Sequence, residues 1–361
     1  MKHGLFCTIY FALLFQSALS QTTLNPDISA IGQVSVFSHN DLTRLNEQKK
    51  LNLTEPSVEL NINGYLNPFV RADGVIAWEG EENAVIEEFY ATILRGLPLN
   101  MNLRAGKYLL EFGRLNPIHP HAYSFIDLPI VHKEFFGDEG LNDAAIRAAF
   151  LLPTGNAFTE LMGAITKGNA LLEEDALEGN DTTHLNPGAF GRLTTSLAVS
   201  ETAELSLGTS FLNSVYELEP RQLRASIFGG DIKYKNVMSR YSTLLLEGEL
   251  LYRSQEQDSA DNLTSYGTYA YVDYKFRKAY NIGGMIDYTS LKSLEFDTLG
   301  IPSEVTSNTW RGALFVGFAP IEETSLIKLV GHWTKPEEAD GIWELALQFV
   351  FSLGPHKPHN F

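Results

Sequence analysis

The feature that most constrains this chain is an alternation of apolar and polar residues with a period of two, repeated in segments along its length. In residues 341–353 one face carries Trp343, Leu345, Leu347, Phe349 and Phe351. The same alternation runs through residues 99–106, 242–253 and 263–277. This period indicates β-strands with one apolar face, and about ten tilted residues span the hydrocarbon core of a bilayer. A soluble β-sandwich would show the same alternation, so the pattern alone leaves both folds open.

The lengths of the predicted connections favour the membrane fold. Short turns are predicted near residues 64–67, 96–98, 152–156, 199–202, 235–240, 276–281 and 319–323. Longer loops are predicted near 38–55, 79–83, 110–140, 169–187, 213–222, 254–264, 289–308 and 334–340, although 79–83 is hardly long. The two sets alternate, as in outer-membrane barrels with short periplasmic turns and longer external loops. We therefore predict an all-β fold, a transmembrane antiparallel β-barrel of about 16 strands formed by residues 21–353.

The two ends of the chain indicate export from a bacterial cytoplasm. Lys2 precedes an apolar run that ends at Phe15, and small residues follow up to Ser20. This pattern predicts a signal peptide at residues 1–20, because the run is too short to span a membrane as a helix. The only cysteine, Cys7, lies inside it, so we expect a mature chain without disulfides or cysteine metal ligands. Pro355 and Pro358 interrupt the last strand pattern and predict a short periplasmic tail at residues 354–361.

The chain is strongly acidic. Removal of residues 1–20 takes away one of the 27 basic residues and none of the 44 acidic residues, which leaves 26 − 44 = −18. Such a surface argues against nucleic acid as a partner and favours cations. Solubility, or acidic external loops, would account for the same charge.

Three stretches carry a resemblance to a known group of proteins. They are LRAGKYLLEFGRLNPIHPH (103–121), FGDEGLNDAAIRAAFLLP (136–153) and FSLGPHKPHNF (351–361). The chain resembles a family of uncharacterised porin-like outer-membrane proteins, and the GK(Y/F)xxxFG layout before the loop is similar to that of phosphate-selective porins. The final Phe361 resembles the sorting signature of outer-membrane barrels.

The resemblance implies a barrel in the bacterial outer membrane, in contact with its lipid, that lets small hydrophilic solutes or ions diffuse through a water-filled interior. Porins commonly form homotrimers, and the sequence leaves the oligomeric state open. Members of such families are sometimes described as metal-linked, or as receptors driven by the TonB system. The chain is short for a 22-stranded receptor with an N-terminal plug. A metal-uptake barrel or receptor therefore stays the first alternative, and a soluble or surface all-β binding protein the second.

Residues 110–140 form the third long loop, and they differ in composition from a solvated loop. They contain the aromatic residues Tyr123, Phe125, Phe135 and Phe136, together with Pro117, Pro120 and Pro129. Loops of this length without regular structure are uncommon unless they are functional. In porins the third external loop folds into the barrel, so the resemblance implies an inward-folded loop that constricts the pore.

Strand alternation predicts which charged residues line that constriction. On the wall it directs Arg71, Asp73, Arg104, Arg147 and Arg192 inward. The loop supplies Asp127, Glu134, Asp138 and Glu139. Acidic groups opposite arginines would set a transverse field that favours small polar solutes over apolar ones. Alternatively, the arginines pair with neighbouring acids and only keep the interior polar.

The histidines of the loop are the candidate metal ligands. His119 and His121 flank Pro120, and in an extended segment their side chains point the same way. With His132, Asp127 or Glu134 nearby, they can hold Zn²⁺ or a similar ion weakly. The spacing lacks the HExxH and cysteine-pair signatures of zinc sites, so ordinary polar loop residues are the alternative. The sequence also lacks the GxSxG, P-loop and GxGxxG motifs, so we predict that the protein is not an enzyme and needs no cofactor.

Overall fold

The computed structural model describes residues 26–80, 83–172, 186–217, 222–258, 261–296, 302–321 and 324–354. These residues contain seventeen β-strands in one antiparallel sheet. The strands are β1 (Asp27–His39), β2 (Asn52–Leu53), β3 (Ser57–Asn67), β4 (Val70–Glu79), β5 (Val85–Ile93), β6 (Asn102–Leu109), β7 (Asn142–Leu152), β8 (Ala157–Thr166), β9 (Gly188–Ala198), β10 (Ala203–Glu217), β11 (Leu223–Ser239), β12 (Ser242–Gln255), β13 (Leu263–Phe276), β14 (Tyr280–Phe296), β15 (Pro302–Ile321), β16 (Ser325–Pro336) and β17 (Ile342–Leu353). The predicted signal peptide, and the predicted tail beyond Gly354, lie outside the described residues.

The sheet closes on itself. The first strand pairs with the last, in an unbroken register that runs from Ala30 opposite Leu353 to His39 opposite Glu344. On its other side β1 pairs with β3, and the two-residue β2 adds a short extension beside β1. The wall therefore consists of sixteen long strands plus one extra short strand, which confirms the predicted all-β, 16-stranded antiparallel barrel and removes the open edges of a sandwich.

One predicted loop is mostly strand. Residues 289–308 were expected to form an external loop, but β14 and β15 stay paired from Ser290 opposite Asn308 to Phe296 opposite Pro302. The prediction failed because this part of the hairpin has few apolar residues. The backbone hydrogen bonds of the ladder continue there even though the apolar alternation does not.

The outer face of the barrel is apolar. On β15, Leu314 is 74% exposed whereas the next residue, Phe315, is 1% exposed, and Val316 is exposed again. The last strand behaves alike, with Trp343, Leu345 and Phe349 on the outside. Apolar side chains that face outward around a closed wall are typical of a barrel surrounded by lipid. None of the helices in the described residues is long and apolar enough to cross a membrane.

The third long connection, residues 110–141 (loop 3), lies inside the barrel. It contains a 3₁₀ turn at Pro120–Ala122 and one α-helix, α1 (Ile130–Phe136). Its aromatic side chains form a buried core with inward residues of the wall. Phe125, for example, packs edge-on against Tyr271 and against Phe315. Burial of a side chain of this size stabilises the packed loop by roughly 1.5–3 kcal/mol, and the predicted inward fold of this loop is confirmed.

Small residues on the wall allow the loop to pack closely. A Cβ added at Gly267 on β13 would lie 2.5 Å from Cγ2 of Val131 in α1. At Gly229 on β11 an added Cβ would lie 2.6 Å from the ring of Phe112. Because both distances are shorter than van der Waals contact, a larger residue at either glycine would push loop 3 away from the wall.

Candidate pore and its charged lining

Loop 3 leaves a cavity in part of the barrel interior. The cavity has a volume of about 630 Å³ and is bordered by residues of β3–β6, of β8, β9 and β11–β13, and by the first half of loop 3. Its lining includes five carboxylates, Glu59, Asp73, Glu88, Glu111 and Glu247, and four side chains of arginine or lysine, Arg104, Arg114, Arg192 and Lys233. The space is therefore polar, with charges of both signs.

Three of the predicted arginines share one level of the wall. Arg71 on β4 pairs in register with Thr92 on β5, Thr92 pairs with Arg104 on β6, and Arg104 pairs with Arg147 on β7. Directly opposite residues in neighbouring strands point to the same face, so these side chains form one inward row. The strand alternation had predicted their direction, and the register explains why they lie together.

A single carboxylate joins two arginines of this row. Glu111, at the start of loop 3, accepts hydrogen bonds from Nη1 of Arg104 at 2.8 Å and from Nη1 of Arg147 at 2.5 Å. Arg104 also lies over the rings of Tyr90 and Tyr108. Arg71 contacts Asp73 instead, with 3.2 Å between Nε and Oδ1.

The fourth predicted arginine belongs to a different group. Nη1 of Arg192 on β9 donates to Oδ2 of Asp231 at 2.7 Å and to Ser210 at 2.6 Å. Asp231 on β11 also accepts a hydrogen bond from Nε of Arg114 in loop 3 at 2.6 Å. This carboxylate thus fixes the loop to the wall between two arginines through charge-assisted hydrogen bonds.

In the described residues, the predicted loop acids Asp127 and Asp138 contact groups other than these arginines. Asp127 lies 3.8 Å from Nδ1 of His332 on β16, and Asp138 lies 3.3 Å from Nζ of Lys133. Glu134 is in α1, where burial raises the pKa of its carboxyl. Glu139 follows α1 near the end of loop 3. The carboxylates that face the arginines are Asp73, Glu111 and Asp231, and a constricting role for the loop acids stays a prediction.

On β12–β15, the inward charges hold loop 3. Glu249 is buried and accepts hydrogen bonds from the backbone N–H of Arg114 and of Leu115, and from the hydroxyl of Tyr269. Nε2 of His132 lies 3.1 Å from the same carboxylate. Glu249 thus contacts loop 3 at two places, at Arg114 and Leu115 near its start and at His132 in α1.

A second anchor lies further round the wall. Asp287 on β14 bonds Arg311 on β15 and accepts a hydrogen bond from the backbone N–H of Ile130 at 3.2 Å. Arg311 in turn donates to the backbone carbonyl of Leu128. The sequence analysis missed Glu249, Asp287 and Arg311 as a group, although strand alternation directs each of them inward.

The loop histidines separate into two places. His132 is at Glu249, whereas His119 and His121 lie side by side near β3 and β5, with 5.8 Å between their ring centroids. The prediction that all three lie together is therefore wrong, since α1 carries His132 to the opposite wall. The predicted extended segment is also wrong, because the 3₁₀ turn begins at Pro120.

The histidine pair contacts a cluster of glutamates. Nδ1 of His119 lies 3.4 Å from Oε2 of Glu59 and 3.7 Å from Oε2 of Glu87. Nδ1 of His121 lies 3.2 Å from the same oxygen of Glu59. Nε2 of His119 lies 3.5 Å from Oε2 of Glu88. Burial alone would lower the pKa of His119, but hydrogen bonds to Glu59 and Glu88 raise that pKa well above 6.5.

Solved structures share this architecture. An anion-selective porin from Comamonas acidovorans superposes with a TM-score of 0.61 over 91% of this chain and 99% of that chain, at 9% identity. The chain shares the fold of outer-membrane porins. OmpT of Vibrio cholerae, in its trimer form, superposes with a TM-score of 0.60 over 91% of this chain and 99% of that chain, at 7% identity. OprB of Pseudomonas putida gives a TM-score of 0.56 over 91% of this chain and 94% of that chain, at 10% identity.

Comparison of sequences does not assign the chain to a family. No family model matches the chain. An uncharacterized protein of Aquifex aeolicus (strain VF5) is 27% identical over 354 residues, which cover 88% of this chain and 71% of that protein. The resemblance to a particular porin-like family therefore stays a prediction, while the barrel fold is established.

Proposed function

We propose that the protein is a porin of the bacterial outer membrane, through which small hydrophilic solutes or ions diffuse passively. The observation that carries this proposal is the polar cavity of about 630 Å³ beside loop 3, inside a closed wall with an apolar outer face. A barrel of sixteen strands is wide enough to hold an aqueous channel. Loop 3 occupies part of that width, so it sets the size limit of the passage.

The mechanism needs no chemistry and no cofactor. Water fills the passage, and Arg104 faces it from one side while Glu247 and Lys233 face it from β12 and β11. Charges of opposite sign across a narrow polar space orient water and favour solutes with their own dipole or charge. Because five carboxylates and four basic side chains line the cavity, the passage should select only weakly between cations and anions.

Single-channel current across a planar bilayer tests the proposal. We expect discrete current steps, and a small reversal potential in a KCl gradient because the lining charges nearly balance. A folded barrel that inserts into the bilayer but conducts no current would contradict an open pore. Chemical crosslinking in detergent would show whether the chain forms a homotrimer, as porins commonly do.

A further inference from the structure

The cluster of glutamates and histidines between loop 3 and β3–β5 has a backbone feature of its own. In the β4–β5 ladder Val75 pairs with Glu88, but Ile76 pairs with Ile86, so Glu87 is an extra residue in a β-bulge. Strict alternation would direct Glu87 and Glu88 to opposite faces of the wall. The bulge instead allows both carboxylates to reach His119, as bulges near functional sites commonly re-aim a side chain.

The spacing of the donor atoms fits a metal ion. A tetrahedral Zn²⁺ holds nitrogen and oxygen ligands at about 2.1 Å, which puts neighbouring ligand atoms about 3.4 Å apart. Nδ1 of His119 is 3.4 Å from Oε2 of Glu59 and 3.7 Å from Oε2 of Glu87, and Nδ1 of His121 is 3.2 Å from the former oxygen. The donor atoms of Glu59, Glu87 and His119 all lie within 4.8 Å of one another.

A neighbouring carboxylate orients one of the two imidazoles. Oε2 of Glu88 lies 3.5 Å from Nε2 of His119, and its other oxygen accepts a hydrogen bond from the backbone N–H of Leu109 at 2.9 Å. When a metal ion displaces the proton from Nδ1 of His119, the proton on Nε2 stays toward Glu88, and the lone pair on Nδ1 points to Glu59 and Glu87. A carboxylate behind a metal-binding histidine is a common arrangement, because it fixes the tautomer and raises the basicity of the ligand.

We propose that Glu59, Glu87 and His119, whose donor atoms lie within 4.8 Å of one another, form a binding site for a divalent transition-metal ion of the Zn²⁺ type, with Glu88 as the positioning residue of His119. His121, 3.2 Å from Glu59, completes the ligand set when its ring turns toward the ion. Two imidazole nitrogens favour such an ion over Ca²⁺ or Mg²⁺, which prefer oxygen ligands. Two ligands come from the wall and two from loop 3, so the bound ion ties the loop to β3 and β5. Glu59, His119 and His121 also border the cavity, through which ions can reach the site.

Isothermal titration of the chelator-treated, detergent-solubilised barrel with Zn²⁺ tests this proposal. We expect one Zn²⁺ bound per chain, loss of that binding in the double variant His119→Ala/His121→Ala, and affinity at least tenfold weaker in Glu87→Gln. His332→Ala is the matched control, since His332 lies in a second group with Asp127 and Glu344 and should leave the affinity unchanged. Heat-modifiable mobility on a gel verifies that each variant is folded.

Several results would overturn the site. Zn²⁺ binding that is equal in the native chain, the double variant and Glu87→Gln would mean that the ion binds elsewhere. Loss of binding in His332→Ala alone would assign it to the second group. If the double variant does not fold, Glu87→Gln decides, because it keeps the shape of the side chain and removes only its charge. Since binding is measured without a membrane, the result is independent of whether the barrel conducts.

Discussion

On the β4–β6 side of the barrel, inward charges such as Asp73 and Arg104 border the cavity, whereas on the β12–β15 side Glu249, Asp287 and Arg311 lie against loop 3. Both sets occupy inward positions of the same wall, and strand alternation predicts the same inward direction for both. Their difference comes from what covers them. On the β12–β15 side these charges are buried and bind the backbone of loop 3, whereas on the β4–β6 side Arg104 meets the loop only through Glu111 and keeps part of its side chain exposed to the cavity.

Substitutions on the β12–β15 side, which loop 3 covers, should therefore lower the stability of the barrel. Substitutions on the β4–β6 side, the open side, should instead change ion permeation. A buried carboxylate that several donors share cannot be removed without leaving those donors unsatisfied, which costs several kcal/mol. A charge beside a wide aqueous space interacts weakly with any one group but acts on each ion that passes. The same residue type thus has a structural role on one side and an electrostatic role on the other.

The largest effect is expected for Glu249→Ala on the covered side. Its removal leaves two backbone N–H groups, His132 and the Tyr269 hydroxyl without their acceptor. We expect the free energy of unfolding to fall by about 3–5 kcal/mol, together with protease cleavage within loop 3. Urea unfolding in lipid vesicles and limited trypsin digestion measure the two effects.

Asp73→Ala on the open side is the comparison variant. Asp73 is buried, but its ion-pair partner Arg71 is partly exposed, so water can replace the lost carboxylate at the guanidinium. We therefore expect a loss of about 1–2 kcal/mol and no new cleavage in loop 3. Equal destabilisation by the two substitutions would remove the distinction between the covered and the open side.

A smaller effect is expected for Arg104→Gln, and it should appear in permeation. A unit charge about 8 Å from the path of an ion in water interacts with it by about 0.5 kcal/mol. Neutralising Arg104 should therefore shift the permeability ratio about twofold toward cations, measured as the reversal potential in a KCl gradient. A shift toward anions, or none at all, would show that Arg104 does not face the ion path.

The smallest effect is expected for Asp138→Ala, which removes an exposed ion pair from loop 3. Asp138 is 85% exposed and its partner Lys133 is 40% exposed, so the free energy of unfolding should change by about 0.3 kcal/mol or less. Thermal unfolding in detergent beside the native chain measures it. A loss comparable to that of Glu249→Ala would mean that exposed contacts, rather than buried ones, hold the loop.

The barrel was predictable because a lipid-facing wall imposes a period of two on the sequence. The alternation along 341–353 and the order of short and long connections were enough to predict sixteen strands and the inward direction of Arg71, Arg104 and Arg147. The prediction was wrong at 289–308, where paired strands continue through polar residues and hydropathy carries no signal. It also could not show that Arg104 and Arg147 share Glu111, because that contact depends on how the loop folds.

For the proposed metal site, even less could be predicted from the sequence. The sequence suggested His119 and His121, since proline and histidine alternate there, but it also grouped His132 with them. Glu59 and Glu87 come from strands that are distant in sequence, and the inward position of Glu87 depends on a β-bulge. The sequence of β5 alone does not indicate the bulge, so Glu59 and Glu87 could not be predicted as ligands.

Cysteine accessibility during single-channel recording tests the central claim most directly, because the only native cysteine, Cys7, lies in the predicted signal peptide. Thr194→Cys lines the cavity, and Ala313→Cys lies in the buried core between wall and loop 3. We predict that a charged, membrane-impermeant thiol reagent reduces the current through Thr194→Cys in one step per pore and leaves Ala313→Cys unchanged. Block of Ala313→Cys with no effect on Thr194→Cys would place the water path on the side that loop 3 covers, and would contradict the account.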